Sequence, residues 1–558
     1  MSRPGAVKLG LLTAVAVLAI LFATAGTIGV TWDEPIYSQA AENAARWFGT
    51  LLTGGPGVAF EQTAFGVGWG LVNEHPPLVR VLNGLGWALT RGVLPAPTTH
   101  RVGSMALAAF TIGVLAAATA RRSGVAAGLF AAAAVVAMPR VFFHAHLGAL
   151  DFAHAATWFL ATLAFYHATA SRRWWAPLLA GLGLGLALLT KINAVLLIPY
   201  WGAWLLLYRR NGRAWLVFLL SLPAALVVLV AGWPWIWGNP VAGLANWVKF
   251  FRVHFEIRQW YAGRLYVKTP WYLAPVMLGI TTPVTLLALA LVGLFSQEGK
   301  PRSTADGPAG GRRFAIAEWN GLHLLGILTV VGYYMLPITA IHDQERLLLP
   351  AFLQIAVLAG GGFALLNAWL ARALTVRLRT RDARFGRIIR LSVGVGLAVI
   401  LLLPGVLGSI RLQPFELSYY NAAVAGTAGA RRLGMETTYY ASTYGHFLPE
   451  LNGLPAGSKL WVMPNSWDVI YYYQRNGLLR DDLVLLRPPG WGSFYDDTGV
   501  LYAEGGLESA DYALIDRRQT TFNDTIPEYA IQLQWAASKP EIARLERDGV
   551  LLAALYGR

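Results

Sequence analysis

LGLLTAVAVLAILFATAGTIG, residues 9–29, runs without a single charge and is followed at once by Thr31-Trp32-Asp33-Glu34-Pro35. An uncharged apolar run of this length can cross a hydrocarbon core of about 30 Å, which takes roughly 17–25 residues of helix. Similar runs recur near 101–119, 124–139, 149–169, 174–190, 192–208, 214–232, 272–295, 319–340, 347–370 and 391–410. The reading is therefore a polytopic α-helical membrane protein with about eleven spans. The first run also admits a signal-peptide reading, with Ala23-Thr24-Ala25 as a cleavage site, but its apolar part exceeds the roughly 7–15 residues usual there. Composition agrees with the membrane: 56% of residues are hydrophobic and only 13% charged, where a soluble domain carries about 25%.

The net charge of +15 invites a nucleic-acid reading. Its distribution argues against one, because Arg and Lys fall in short clusters between apolar runs, and no nucleic-acid partner is expected. Arg3 and Lys8, Arg121-Arg122, Arg172-Arg173, Arg209-Arg210 with Arg213, Lys300 to Arg313, and Arg372 to Arg390 all fall on one side of the spans. Such clusters mark the cytoplasmic face. The opposite loops collect Asp33, Glu34, Glu61, Glu74, Asp151 and many tryptophans. An eleven-span chain that starts inside ends outside, in the cytoplasmic (inner) membrane of a bacterium. Residues 1–410 then form the membrane domain, with 30–100 a large outer loop, in which Pro77–Leu89 is suited to lie in the interface. Residues 233–271 form a second outer loop, and 297–313 a flexible cytoplasmic linker. Beyond 410 charge rises and β-like runs at Lys459–Met463, Leu483–Leu486 and Tyr512–Asp516 alternate with helical patterns at 466–475 and 539–556. That alternation predicts a small C-terminal α/β extracytoplasmic domain, 411–558. The absence of cysteine excludes disulfides and Cys-ligated metals.

Five short stretches at the outer ends of the spans carry ionisable residues, which are costly at a membrane edge unless paired or functional. Asp33-Glu34 offers a general base for a hydroxyl or amine, or alternatively an acidic helix start with Asp33 as N-cap. In Asn73-Glu74-His75-Pro76-Pro77-Leu78 the paired prolines hold the chain extended, and His75 can orient a carboxylate, contact phosphate or simply fill a bend. Pro139-Arg140 through His144-Ala145-His146 leads to Asp151, which shares a helix face with His154. His144, His146 and Asp151 match no strong metal signature, so no cofactor is expected and a metal only as a lesser alternative. Lys191 stands alone between two apolar runs. His342-Asp343-Gln344-Glu345-Arg346 opens the tenth span, where Arg346 and Lys191 can hold a phosphate, one as a planar fork and the other as a point charge, or act as interfacial anchors. No phosphate-binding Gly-rich loop is present, and Asp496-Asp497 is an isolated acidic pair. A sugar donor outside the cell must be carried by lipid, and basic side chains can stabilise its leaving phosphate.

These stretches, in this order, resemble glycosyltransferase family 39, which includes protein O-mannosyltransferases and the aminoarabinose transferases of lipid A. Pro414-Phe415-Glu416-Leu417-Ser418-Tyr419-Tyr420-Asn421 is similar to the start of the outer domain in bacterial members. The resemblance covers the membrane region and the first part of the tail. It implies a C-type membrane glycosyltransferase, an inverting mechanism and a polyprenyl-phosphate sugar donor, with a lipid, glycan or protein as acceptor. It implies Asp33 as catalytic base beside Glu34, Asp151 as a second acidic position, and Arg346 as donor-phosphate contact. Lys191, His75, Arg140, His342 and Glu345 complete the candidate substrate site. Leu347 departs from the tyrosine common after the arginine, and Ala422-Ala423 from the usual Glu-Leu. Two other functions fit a chain of this kind: a transporter or flippase for a polyprenyl-linked lipid, and a structural subunit of an envelope assembly. The carboxylate-bearing outer loop favours the enzyme, and missing internal repeats with few broken spans weigh against transport.

Overall fold

The computed structural model describes residues 2–252, 258–296, 316–337, 339, 341–378, 382–464, 466–488, 501–520 and 529–557. The linker at 297–313, apart from its neighbours, and the Asp496-Asp497 pair lie outside the described residues. Each of the eleven apolar stretches contributes helix among the described residues. Among the described residues, five helices are long and apolar enough to cross a membrane: Arg3–Ala25, Thr98–Ser123, Gly212–Ala231, Arg346–Arg377 and Ala383–Leu412. Two expected unbroken spans, 124–139 and 272–295, are bent pairs. Val125–Val136 turns by 77° into Pro139–His146, and Leu273–Thr281 by 109° into Val284–Leu294. Each break sits before a proline, Pro139 or Pro283, which disfavours helical geometry in the residue before it and donates no hydrogen bond.

Leu349–Arg377 is the central helix, with every residue from Leu349 to Phe363 buried. It is crossed closely by Val284–Leu294. A Cβ on Gly293 would collide with the carbonyl oxygen of Leu358, and one on Gly362 with that of Leu289. Small residues at a crossing let two backbones approach, the usual means of helix association in lipid. The helix ends sort by charge, as the sequence pattern requires. Arg122 and Arg209 both stack on Tyr166, with Arg122 also over Trp319, at one end of the bundle. Asp33, Asp151 and Arg346 meet at the other.

The 240–266 region of the second loop contains the helix Pro240–Arg252 and a hairpin, β1 (Gln259–Tyr261) with β2 (Arg264–Tyr266). After Leu412 the chain builds a six-stranded sheet from β3 (Lys459–Met463), β4 (Val484–Arg487), β5 (Tyr502–Glu504), β6 (Tyr512–Asp516), β7 (Glu541–Arg547) and β8 (Val550–Gly557), in the order β5-β4-β3-β6-β8-β7. The first four strands of that order are parallel, and β8 is antiparallel to both β6 and β7. Central β3 and β6 are apolar on both sides, as covered parallel strands must be. Leu460 and Val462 pack with helix Trp467–Arg475, and Trp461 and Met463 face helix Tyr529–Ala537.

The stretch 539–556 is a hairpin, not the expected helix. Its leucines imitate helical spacing, but Asp548 and Gly549 take φ of 48° and 72°. Two consecutive left-handed residues are what a two-residue hairpin turn requires, and Asp-Gly is a favoured pair there.

Candidate active site

Asp33 and Glu34 are adjacent and do different things. Asp33 stands at the N-cap of helix Glu34–Ala59, yet its side chain makes no capping bond. It turns instead toward Arg346, whose Nη1 donates to Asp33 Oδ2 at 2.9 Å. Glu34 points into the protein, where Arg101 grips it with two parallel bonds of 2.7 Å. The Thr31 and Gly148 backbone N–H groups donate to it at 2.9 and 2.8 Å. Burial opposes ionisation of Glu34, and Arg101 outweighs it, so its carboxyl lies below the usual range.

Around Arg346 a network of alternating charges forms. Nη1 also reaches Asp151 Oδ2 at 3.4 Å and Tyr440 Oη at 2.6 Å, and Nη2 meets Asp343 Oδ2 at 2.8 Å. Lys191 Nζ donates to the other oxygen of Asp151 at 2.7 Å. Arg518, fully buried, donates to Asp343 Oδ1 at 2.8 Å and lies 3.9 Å over the Trp32 ring. Local geometry explains how each side chain arrives. Asp151 opens helix Leu150–Ala170. Lys191 is an extended residue between helices Ala176–Leu188 and Ile192–Leu196. Asp343 and Gln344 turn the chain with φ of 51° and 60° just before Arg346.

Asp33 is the open member of the set, with 29% of its side chain exposed against 3% for Asp151. A base for an incoming group must be reachable, so this difference separates the two. Burial raises the Asp33 carboxyl above its usual range; Arg346 and Tyr440 pull it down, and Asp151 and Asp343 push it up again. Asp343 is held low, because Arg346 and Arg518 outweigh its burial.

The other sequence candidates fall around this centre. The Leu78 N–H donates to the Leu189 carbonyl at 3.0 Å, which docks the His75-Pro76-Pro77 bend beside Lys191. His75 is driven down to about 3 by burial, then by Lys191 and Arg80, and is neutral. Its ring meets Tyr37 edge-on, with centroids 6.1 Å apart. Arg140 and Glu345 form a separate buried ion pair behind the network. Arg140 also donates to the Tyr419 carbonyl at 2.7 Å, and Tyr439 Oη donates to Glu345 at 2.8 Å. Arg346 is thus the partner of Asp343, while Glu345 belongs to Arg140. His342 flanks Asp343. His144 and His146 diverge, toward Tyr439 Oη at 3.0 Å and Thr24 Oγ1 at 2.8 Å. Among the described residues no group of three or more His, Asp or Glu is arranged to hold a metal ion. Sequence reading missed Tyr440 and Arg518, which the sheet domain supplies. Neither stands at the end of an apolar run, so neither carries the signal that marked the others.

Residues 74–237 match the family model described as dolichyl-phosphate-mannose-protein mannosyltransferase, and the resemblance to glycosyltransferase family 39 is borne out over that segment. It contains His75, Arg140, Asp151 and Lys191, and leaves Asp33, Arg346 and Tyr440 outside. Among solved structures, the chain is similar to ArnT from Cupriavidus metallidurans in the apo state, at 16% identity over 98% of this chain and 97% of that one, with a TM-score of 0.48. No curated protein matches.

Proposed function

We propose that the chain is an inverting glycosyltransferase that moves a sugar from a polyprenyl-phosphate donor to a lipid, glycan or protein acceptor at the outer face of a bacterial inner membrane. The observation that carries this is the reachable carboxylate of Asp33 sharing one guanidinium with buried Asp151, beside Lys191. In this reading Asp33 takes the proton of the acceptor hydroxyl or amine, whose lone pair attacks the anomeric carbon from the face opposite the phosphate. The bond from that carbon to the phosphate oxygen breaks, and the lipid phosphate leaves with the electron pair. Arg346 and Lys191 stabilise it. In the arrangement seen, Asp33 occupies the Arg346 nitrogen that the phosphate requires, so the donor displaces Asp33 and frees it for the acceptor. Glu34 has a structural part, as the buried partner of Arg101. Residues 1–410 act as the membrane enzyme, and 411–558 lie outside and close over the centre.

A transporter or flippase has one observation in its favour, the two helices broken before Pro139 and Pro283, since broken helices line many transport sites. The charge network instead lies at one end of the bundle, where the Asp33 side chain is partly exposed. The test is complementation of a deletion strain with wild type or Asp33→Asn, with lipid extracts analysed for an accumulated polyprenyl-phosphate sugar. The deletion and Asp33→Asn strains should both accumulate it, since a general base contributes about 10²–10⁴-fold. Full complementation by Asp33→Asn removes Asp33 from the mechanism.

A further inference from the structure

Tyr440 lies in neither the membrane helices nor any stretch that the reaction above assigns, yet it touches three members of the network. Its ring is fully buried. Its hydroxyl is 2.6 Å from Arg346 Nη1, 2.7 Å from Asp33 Oδ2 and 3.1 Å from Asp151 Oδ2. A phenol has one hydrogen to give. Arg346 can only donate, so it takes a lone pair on Tyr440, and the hydrogen goes to a carboxylate. Asp151 already has Lys191 at 2.7 Å and Arg346. Asp33 has Arg346 alone besides Tyr440, among the described residues, and stands at the shorter distance. We infer that Tyr440, delivered by the domain that follows the last long helix, is a positioning residue that donates its hydrogen to Asp33 and aims that carboxylate. The inference rests on the reading of Asp33 as the base.

The backbone points the same way. Tyr440 and Ala441 both adopt left-handed geometry, with φ of 71° and 55°. Non-glycine residues take this conformation at a cost, and consecutive ones at a polar centre are a mark of function. The segment is pinned to the neighbour of Asp33 itself, because the Trp32 N–H donates to the Tyr440 carbonyl at 3.1 Å. The Trp32 and Tyr440 rings meet edge-on at 6.3 Å. The strained turn therefore fixes its hydroxyl and the start of the Asp33 helix as one unit.

Among the described residues, the charged and titratable groups facing this pair come from several elements. Arg346 and Asp343 approach from the turn before the central helix, Asp151 from the start of helix Leu150–Ala170, and Lys191 from the extended link after helix Ala176–Leu188. Tyr37 lies on the helix that Asp33 begins. Glu74 and His75 lie on the outer loop, and His144 is 6.1 Å from the Tyr440 ring. Tyr439 is bound to Glu345, the partner of Arg140, and Arg518 is bound to Asp343. All of them survive the loss of one phenolic oxygen. The Tyr440→Phe ring can still cover Arg346, whose guanidinium lies 4.8 Å from its centre.

The experiment is an infrared pH titration of the full chain in nanodiscs, labelled with ¹³C-aspartate, so that no donor is needed. The protonated-carboxyl band that vanishes in Asp33→Asn reports Asp33. Removing a neutral donor favours the protonated acid, so Tyr440→Phe should move the midpoint of that band up by roughly half to one pH unit. A monofluorinated tyrosine at 440 keeps the shape, donates more strongly and should move it down. This second protein also decides the matter if Tyr440→Phe does not fold. An unmoved midpoint, or shifts of the opposite sign, overturns the role of Tyr440. Failure of the base reading shows elsewhere, as full complementation by Asp33→Asn, so the two failures are distinguishable.

Discussion

Arg346→Lys keeps the charge and removes the fork. In the structure two terminal nitrogens serve four partners: Asp33, Asp151 and Tyr440 on Nη1, and Asp343 on Nη2. A lysine ammonium carries its donors on one atom, so it cannot bridge Asp343 on one side and Asp33 on the other. At least one charge-assisted bond is lost, worth about 1.5–3 kcal/mol, or roughly 10- to 150-fold. Where a phosphate takes the place of Asp33, the same loss falls on donor binding or on the transition state. Arg346→Ala should cost more, about 3–5 kcal/mol for a broken buried pair, and part of that falls on folding. Lysine is the decisive variant for that reason. The assay is kcat and KM for the polyprenyl-phosphate sugar that accumulates in the deletion strain, measured in nanodiscs beside a melting curve. A lysine variant equal to wild type in both constants refutes the phosphate role and leaves Arg346 as a clamp between Asp33 and Asp343.

Glu34→Gln should lower the melting temperature and folded yield sharply, because it leaves Arg101 buried without its counter-charge, at about 3–5 kcal/mol; Asp33→Asn, which removes no cap, should change melting little. Glu416 is buried, neither of its side-chain oxygens has a hydrogen-bond partner from another residue among the described residues, and burial, opposed by its own backbone N–H, raises it to about 7. Its folded value exceeds the ordinary 4.5, so its contribution is fully present below about pH 4.5 and is lost as pH rises through about 7. Glu416→Gln should accordingly match wild-type stability at pH 4 and exceed it above pH 8 by about 3 kcal/mol, read from melting curves at the two pH values. Reporter fusions at residues 121, 210, 305 and 380 should read cytoplasmic and one at 558 exported; a cytoplasmic signal at 558 puts the span number wrong by one.

Much of the centre was legible because an ionisable residue at the end of an apolar run stands out against its surroundings. Asp33, Asp151, Lys191 and Arg346 were marked in this way, and the structure brings them into one network. What the run ends could not show is direction. Asp33 and Glu34 are one residue apart, hence about 100° apart around a helix, and only the tertiary positions of Arg101 and Arg346 decide which faces the cluster. Tyr440 and Arg518 lie in a domain of ordinary soluble composition, where a tyrosine or an arginine carries no such contrast. In the sheet, β3 and β6 were readable from unbroken apolar runs, and helix 467–475 from its periodicity. The β7–β8 hairpin was not, since its leucine spacing overrode the Asp548-Gly549 signal. The bends before Pro139 and Pro283 were likewise hidden inside hydropathy that reads as continuous.

The network draws on residues from Asp33 to Arg518, nearly the whole length of the chain. Synthesis delivers Asp33 long before Arg518. Until the domain that follows the last long helix has been made and folded against the helices, Arg346 has no Tyr440, Asp343 has no Arg518, and the turn that clamps Trp32 does not exist. A nascent or truncated chain thus holds its carboxylates and cations at the helix ends without the arrangement that aligns them. Folding of that domain onto the helices is therefore the step that completes the network.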